Sequence, residues 1–196
     1  MGEFVDASEP MIALAGALLP PEMLDSKSPV QVLVADGEVR DYPEELLPLL
    51  KFLSEPRSET EVIQRLKEDG APSQALNDLI KGQHVICIQP GESIAALEGF
   101  SGLRVVASGV PVPSLSGDGL VYIGTESDDV GTSLPVAELL AMILWEEPVG
   151  EDFPTAALRH AKDLRVETSR IGRDALFGLG ALLGSGLARL EWTKGE

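Results

Sequence analysis

One segment of this 196-residue chain is written twice. Pro43 to Pro56 reads PEELLPLLKFLSEP, and Pro135 to Pro148 reads PVAELLAMILWEEP. The two align without a gap: Pro43 falls on Pro135, Leu47 on Leu139, Glu55 on Glu147 and Pro56 on Pro148, while Phe52 and Leu53 meet Leu144 and Trp145. The same order of elements surrounds both copies, so the expected architecture is a tandem of small modules. A chain of this length suffices for one good core or two small ones. A duplicated small module that lacks catalytic groups points to binding.

Hydrophobic periodicity and turn chemistry divide the chain into four parts: an N-terminal segment at 1–28, a first module at 29–91, a connector at 92–116 and a second module at 117–196. The leading segment holds a short helix or strand at 11–19, broken by Pro20 and Pro21. VQVLVADGEVRDY is two β-leaning runs joined at Asp36-Gly37, a hairpin signal because glycine tolerates positive φ. Pro43 opens a helix where its missing N–H costs little, with Leu46, Leu47, Leu49, Leu50 and Leu53 as its apolar stripe. S-E-T-E at Ser58 has the hydroxyl and the acid of a capping box. The helix it opens buries Val62, Ile63 and Leu66 and stops at Gly70. Ser73 is the expected cap of a third helix carrying Leu76, Leu79 and Ile80, with Gly82 as its C-terminal punctuation. HVICI at 84–88 closes the module as a strand.

The connector is rich in Gly, Ser and Pro and contains one strand, LRVVAS at 103–108. In the second module LVYIG at 120–124 is a strand, and Thr125 to Val130 turns and returns. Ser133 is the expected cap of a helix from Leu134 to Trp145. Helices at 154–164 and at Ser169–Leu183 follow, and GLARLEW at 186–192 is the closing strand. The fold class is therefore α+β: two winged-helix-like modules, each a β-hairpin, three helices and a closing strand, joined by a partly β connector.

Charge restricts the partners. Thirty-two acidic residues against fifteen basic ones give a formal net charge of −17. Nucleic-acid affinity draws on lysine and arginine neutralising phosphates, so general DNA binding is disfavoured, and an anionic membrane surface is disfavoured for the same reason. No apolar run approaches the ~20 residues that span a bilayer. The apolar stretch at Pro10–Leu19 follows acids rather than a basic region, which argues against a secretory signal. The lone Cys87 excludes an internal disulfide framework and fits a reducing cytoplasm.

The run VQVLVADGEVRDYPEELLPLLKFL, then SETEVIQRL, then ALNDLIKGQHVICI resembles the PqqD-like peptide-recognition domains of ribosomal peptide natural-product pathways. The resemblance covers about 60 residues directly and, through the repeat, about 75 more, and it is one of pattern rather than of a chemical motif. It implies a β-hairpin ahead of three helices, and a leader peptide bound by strand addition against a helix. Winged-helix regulatory domains attached to methyltransferases and JmjC-type oxygenases share much of the pattern. So do the acidic tandem winged-helix partners of chromosome-condensing complexes.

Catalytic and cofactor chemistry finds little support. FGLGALLGSG at 177–186 suggests a dinucleotide loop, but the spacing Gly178, Gly180, Gly184 is one residue too long and the preceding segment reads as helix. A helix packed closely through small residues is the simpler reading. GDG at 117–119 and ESDD at 126–129 lack the regular ligand spacing of a calcium loop. His84 and His160 have no ligand-spaced companions, whereas a catalytic zinc needs about three. Cys87 reads as a small buried hydrophobe. No metal or other cofactor is expected.

Two sets of residues remain as binding candidates. Strand addition places a peptide groove along Val32, Val34, Leu76, Leu79 and Val85, and because strand residues alternate between faces some of these belong to the core. Arg159, Lys162, Arg165, Arg170 and Arg173 gather against only Asp163 and Glu167. They form either an ordinary ion-paired helical face or a contact for a carboxylate-rich partner, which arginine suits through its bidentate fork. The expected function is a non-catalytic peptide- or protein-binding adaptor that delivers a precursor peptide to a modifying enzyme, with a homo-oligomer compatible. The alternatives are a DNA-associated transcription or chromosome-organising factor, and a regulatory subunit of a methyltransferase or oxygenase.

Overall fold

The computed structural model describes residues 9–18, 31–34, 39–42, 44–70, 74–82, 84–112, 119–125, 133–146 and 150–193. The fold is α+β, built from helices and small antiparallel sheets. The first half runs β1 (Met11–Leu14), β2 (Gly16–Leu18), β3 (Gln31–Val34), β4 (Val39–Asp41), a 3-10 turn at Glu44–Leu46, α1 (Leu47–Leu53), β5 (Arg57–Ser58), α2 (Glu59–Glu68), α3 (Ala75–Lys81) and β6 (Val85–Ile88). The second half follows a 3-10 helix at Ile94–Phe100. It runs through β7 (Leu103–Ala107), β8 (Val110–Val112), β9 (Val121–Gly124), β10 (Leu134–Val136), α4 (Glu138–Glu146), α5 (Phe153–Leu164), a 3-10 turn at Thr168–Arg170, α6 (Ile171–Leu176), α7 (Leu179–Ser185) and β11 (Ala188–Trp192).

The backbone repeats over a longer span than the letters do. Each half starts with a strand that pairs antiparallel with the closing strand of the same half, β1 with β6 and β7 with β11. Each then turns into a three-stranded antiparallel meander, β2-β3-β4 or β8-β9-β10. Two hydrogen bonds recur at the same places. His84, just before β6, donates its N–H to the carbonyl of Leu79 at 2.9 Å, and Leu187, just before β11, donates to Leu182 at 2.9 Å. Their carbonyls accept from the turn after the opening strand: Ala15 N–H to His84 at 2.8 Å, and Ser108 N–H to Leu187 at 2.8 Å. Such i to i−5 bonds satisfy carbonyls that a helix end leaves open. Residues 11–18 and 103–112 thus hold corresponding places in the two halves.

Local chemistry behaves as the sequence suggests at several elements. Ser58 caps α2 with the complete reciprocal box: its side chain accepts from Glu61 N–H while the Glu61 carboxylate accepts from Ser58 N–H. Gly70, at φ +63, lies just beyond that helix. Pro48 sits in the first turn of α1, where a missing donor is tolerated. The strands β3 and β4 pair Val32 with Arg40, as a hairpin requires. The expected Asp36-Gly37 turn, the Ser73 cap, the return at 126–130 and the ESDD acids lie outside the described residues, as do Gly117 and Asp118 of the GDG turn.

Three readings need correction. Ser133 does not open a helix: Leu134–Val136 is β10, and the helix begins at Glu138. Pro135 is tolerated because β10 lies at the edge of its sheet, where a strand can lack a donor. The expected helix at Ser169–Leu183 is two helices, broken where Gly178 takes φ +87; a Cβ there would overlap the Pro135 carbonyl. Ile63 and Ile80 are exposed rather than core. Gly82 does punctuate α3 as its C-terminal cap, with φ −75.

The apolar residues form two clusters that share one wall. Ile12, Leu14 and Val85 face a smaller core with Leu49, Leu50, Leu53, Val62, Leu66, Leu76 and Leu79. Ala13, Ala15, Ile86 and Ile88, on the opposite face of the same strands, join the larger core. Alternation of strand side chains makes this possible, and a sheet buried on both faces reads as an unbroken apolar run. That is how MIAL and VICI read. The 3-10 helix at Ile94–Phe100 contributes Ala96, Leu97 and Phe100 to the larger core, and Phe100 packs on Phe153 with ring centres 5.0 Å apart.

Candidate functional site: paired pockets of unlike chemistry

Each half has a pocket beside the start of its first helix: in the first half its other wall is α3, and in the second it is α6 and the end of α5. In the first half the groove is lined by Tyr42, Glu45, Leu46, Ala75, Asp78, Leu79 and His84, with a volume of about 430 Å³. Tyr42 follows β4 directly, so the groove begins where that strand ends, and β4 is the outer strand of its sheet among the described residues. The Tyr42 and His84 rings meet edge to face at 5.4 Å, which joins the strand exit to the start of β6. Leu46 and Ala75 give apolar walls, and Glu45 and Asp78 add two carboxylates.

The second half's pocket has a volume of about 490 Å³. Leu120, Leu139, Leu164, Val166 and Phe177 supply apolar lining; Arg170, Arg173, Asp174 and Glu138 supply charge. Arg170 meets Asp174 at 3.4 Å, and Arg173 meets the same carboxylate at 3.2 Å. A third acid, Glu92, lies 3.7 Å from Arg173. The α6 backbone is pinned close by: Arg173 N–H donates to the Glu92 carbonyl at 2.9 Å, and a Cβ on Gly172 would overlap the Ser93 carbonyl. Both pockets fall in the size range of small-ligand and peptide-anchor sites.

The groove candidates separate on inspection. Leu76, Leu79 and Val85 are buried in the smaller core, and Leu79 alone of the three also lines the groove. Val32 and Val34 belong to β3, inside the sheet rather than on its outer strand; their side chains lie outside the described part. Sequence reasoning missed Tyr42, Glu45, Asp78 and His84. The available signal was their position at the ends of the strands and on the polar side of α3.

The basic candidates are dispersed among acidic partners. Arg159 grips Glu151 at 2.9 Å. Lys162 is exposed on α5, and Arg165, also exposed, ends that helix in the left-handed conformation at φ +57. Arg170 and Arg173 line a common pocket.

Other titratable groups stabilise the scaffold. Burial pushes the Glu191 carboxyl up, but hydrogen bonds from Arg104 and Arg189 outweigh it and hold its pKa below the ordinary value. Asp152 behaves alike: burial raises it, while the Gly102 N–H and Thr155 bring it down overall. Cys87 is half-buried, and burial followed by the charge of Glu59 raises its pKa, the opposite of an activated thiol. His160 is buried in α5. Among the described residues no group of three or more His, Cys, Asp and Glu is arranged to hold a metal, and no helix is long and apolar enough to cross a membrane. Glycines of the 177–186 run serve packing: Gly178 lets the chain pass Pro135, and Gly184 sits against Glu55. Comparison with protein-family models, with curated proteins and with solved structures returned no match.

Proposed function

We propose that the protein is a peptide-binding adaptor of two winged-helix-like modules, and that its first half receives an extended segment along β4. The observation that carries this reading is the groove between the end of that outer strand and α3. An outer strand offers unpaired backbone donors and acceptors, and a neighbouring pocket selects side chains. The winged-helix description is supported by the order α1, β5, α2, α3, β6, with β1 lying between β5 and β6 in the sheet. A precursor peptide brought to a modifying enzyme is the client that fits the resemblance. The DNA-associated alternative has weaker support, because phosphate binding draws on lysine and arginine and the chain has a formal net charge of −17.

The test is an NMR titration of the full chain with overlapping 15-residue peptides from precursor peptides encoded beside its gene. A binding peptide should shift the amides of Val39, Arg40, Asp41 and α3, and protect the β4 amides from exchange. Ala75→Trp should abolish binding by filling the groove while leaving the rest of the spectrum unchanged. Shifts confined to other surfaces, or binding that survives Ala75→Trp, would overturn the assignment.

A further inference from the structure

The second half's pocket has a chemistry that the first half's groove lacks. Arg170 and Arg173 stand one helical turn apart at its edge, and both lean on the single carboxylate of Asp174. Each guanidinium has five N–H donors, more than the contacts with Asp174 and Glu92 occupy, so donor capacity remains. Glu92, at 3.7 Å from Arg173, is a long and exposed partner. Behind the arginines lies the apolar surface of Leu120, Leu139, Leu164, Val166 and Phe177. Among the described residues the first half's groove has no arginine or lysine in its lining and carries Glu45 and Asp78 instead. The duplicated scaffold therefore presents an acidic pocket in one half and an arginine-edged pocket in the other.

We propose that the second pocket binds an amphipathic carboxylate: an apolar body seated against Leu139, Val166 and Phe177, with its carboxylate on Arg170 and Arg173. Arginine forks recognise carboxylates in paired hydrogen bonds, and an apolar lining with a few convergent polar groups is the usual form of a ligand pocket. A free acyl or aryl acid and an acidic side chain flanked by leucine-sized residues in a peptide share this chemistry. The site lies in the other half from the strand-adding groove and stands whether or not that groove binds peptide.

The experiment titrates the full chain with octanoate and octanamide, and with acetyl-Leu-Glu-Leu-amide and its Gln counterpart, followed by NMR. The carboxylates should shift the amides of Leu120, Ala137, Leu139 and Val166 and the Nε–H groups of Arg170 and Arg173. The neutral analogues should bind about tenfold more weakly or worse. Glu138 lines the same pocket with a like charge, so Glu138→Gln should tighten carboxylate binding about two- to threefold. Arg170→Gln with Arg173→Gln should remove the preference for the charged probe. Octanoate alone binding identifies a small acid as the source; the Glu peptide binding identifies a protein segment. Acid and amide binding equally, or no shift at these residues with any probe, would overturn the proposal.

Discussion

The opening and closing strands of the two halves pair in the same way but are buried differently. In the first half, β1 and β6 stand between two cores, and both faces are apolar. In the second half, Leu103, Val105, Ala188 and Leu190 turn inward, while Arg104, Arg189 and Glu191 form an ion triad on the other face, with contacts of 2.7 Å from each arginine. One sheet is a shared wall and the other an outer skin. The first half holds seven basic and eighteen acidic residues in 1–101, a net charge of −11; residues 102–196 hold eight and fourteen, a net of −6. A duplicated backbone can thus serve two electrostatic environments, because strand pairing depends on main-chain groups that side-chain divergence leaves intact.

The two first helices show the same lesson. The gapless alignment sets Lys51 against Ile143 and Leu53 against Trp145, yet burial is reversed at both places. Lys51 is exposed and Ile143 fully buried; Leu53 is fully buried and Trp145 is 39% exposed. The buried faces match when the second helix is shifted by two residues, pairing Leu49, Leu50 and Leu53 with Leu139, Leu140 and Ile143. A shift of two residues rotates a helix by about 200°, so the aligned letters point to opposite sides.

This contrast can be broken most directly at the reversed positions. Ile143→Lys places an unpaired charge in the larger core and should cost about 4 kcal/mol or more, whereas Lys51→Ile should stay within about 0.5 kcal/mol. Chemical denaturation of both variants measures the difference; equal effects would mean that the aligned register is the true one. Leu53→Ala should cost about 2–5 kcal/mol by emptying the smaller core, and Trp145→Ala about 1 kcal/mol or less at its exposed site.

The outer sheet yields a pH test. Glu191→Ala leaves two arginines without their shared acid and should cost about 1–2 kcal/mol. Because the folded-state pKa of Glu191 is depressed, its contribution is fully present above the unfolded value of about 4.3 and is lost as pH falls through the folded value. The Tm gap between wild type and Glu191→Ala should therefore be full at neutral pH and close in acid; a gap that widened in acid would contradict the triad. The smallest expected effect is a gain. Arg165 holds a left-handed backbone at φ +57 at the end of α5, so Arg165→Gly should stabilise by about 1 kcal/mol. An unchanged or lower Tm would show that the arginine side chain offsets the strain.

The capping box at Ser58, the helix expected at 154–164 and the closing strands were legible because each follows from a local period or a local hydrogen bond. The pockets were not, since Tyr42, Ala75 and His84 are brought together only when α3 packs beside the end of β4. The pairing of residues 11–14 with 85–88 was likewise hidden, because strand partners distant in sequence leave no periodic mark.

By itself the sequence determined a duplicated α+β scaffold, its acidity and the positions of most of its helices, through turn chemistry and hydrophobic spacing. Only the tertiary structure decided how far the duplication extends, which face of each repeated helix is buried, and where the two pockets open. Those properties depend on which distant surfaces meet, and the Pro43 and Pro135 segments, nearly the same in letters, meet different ones.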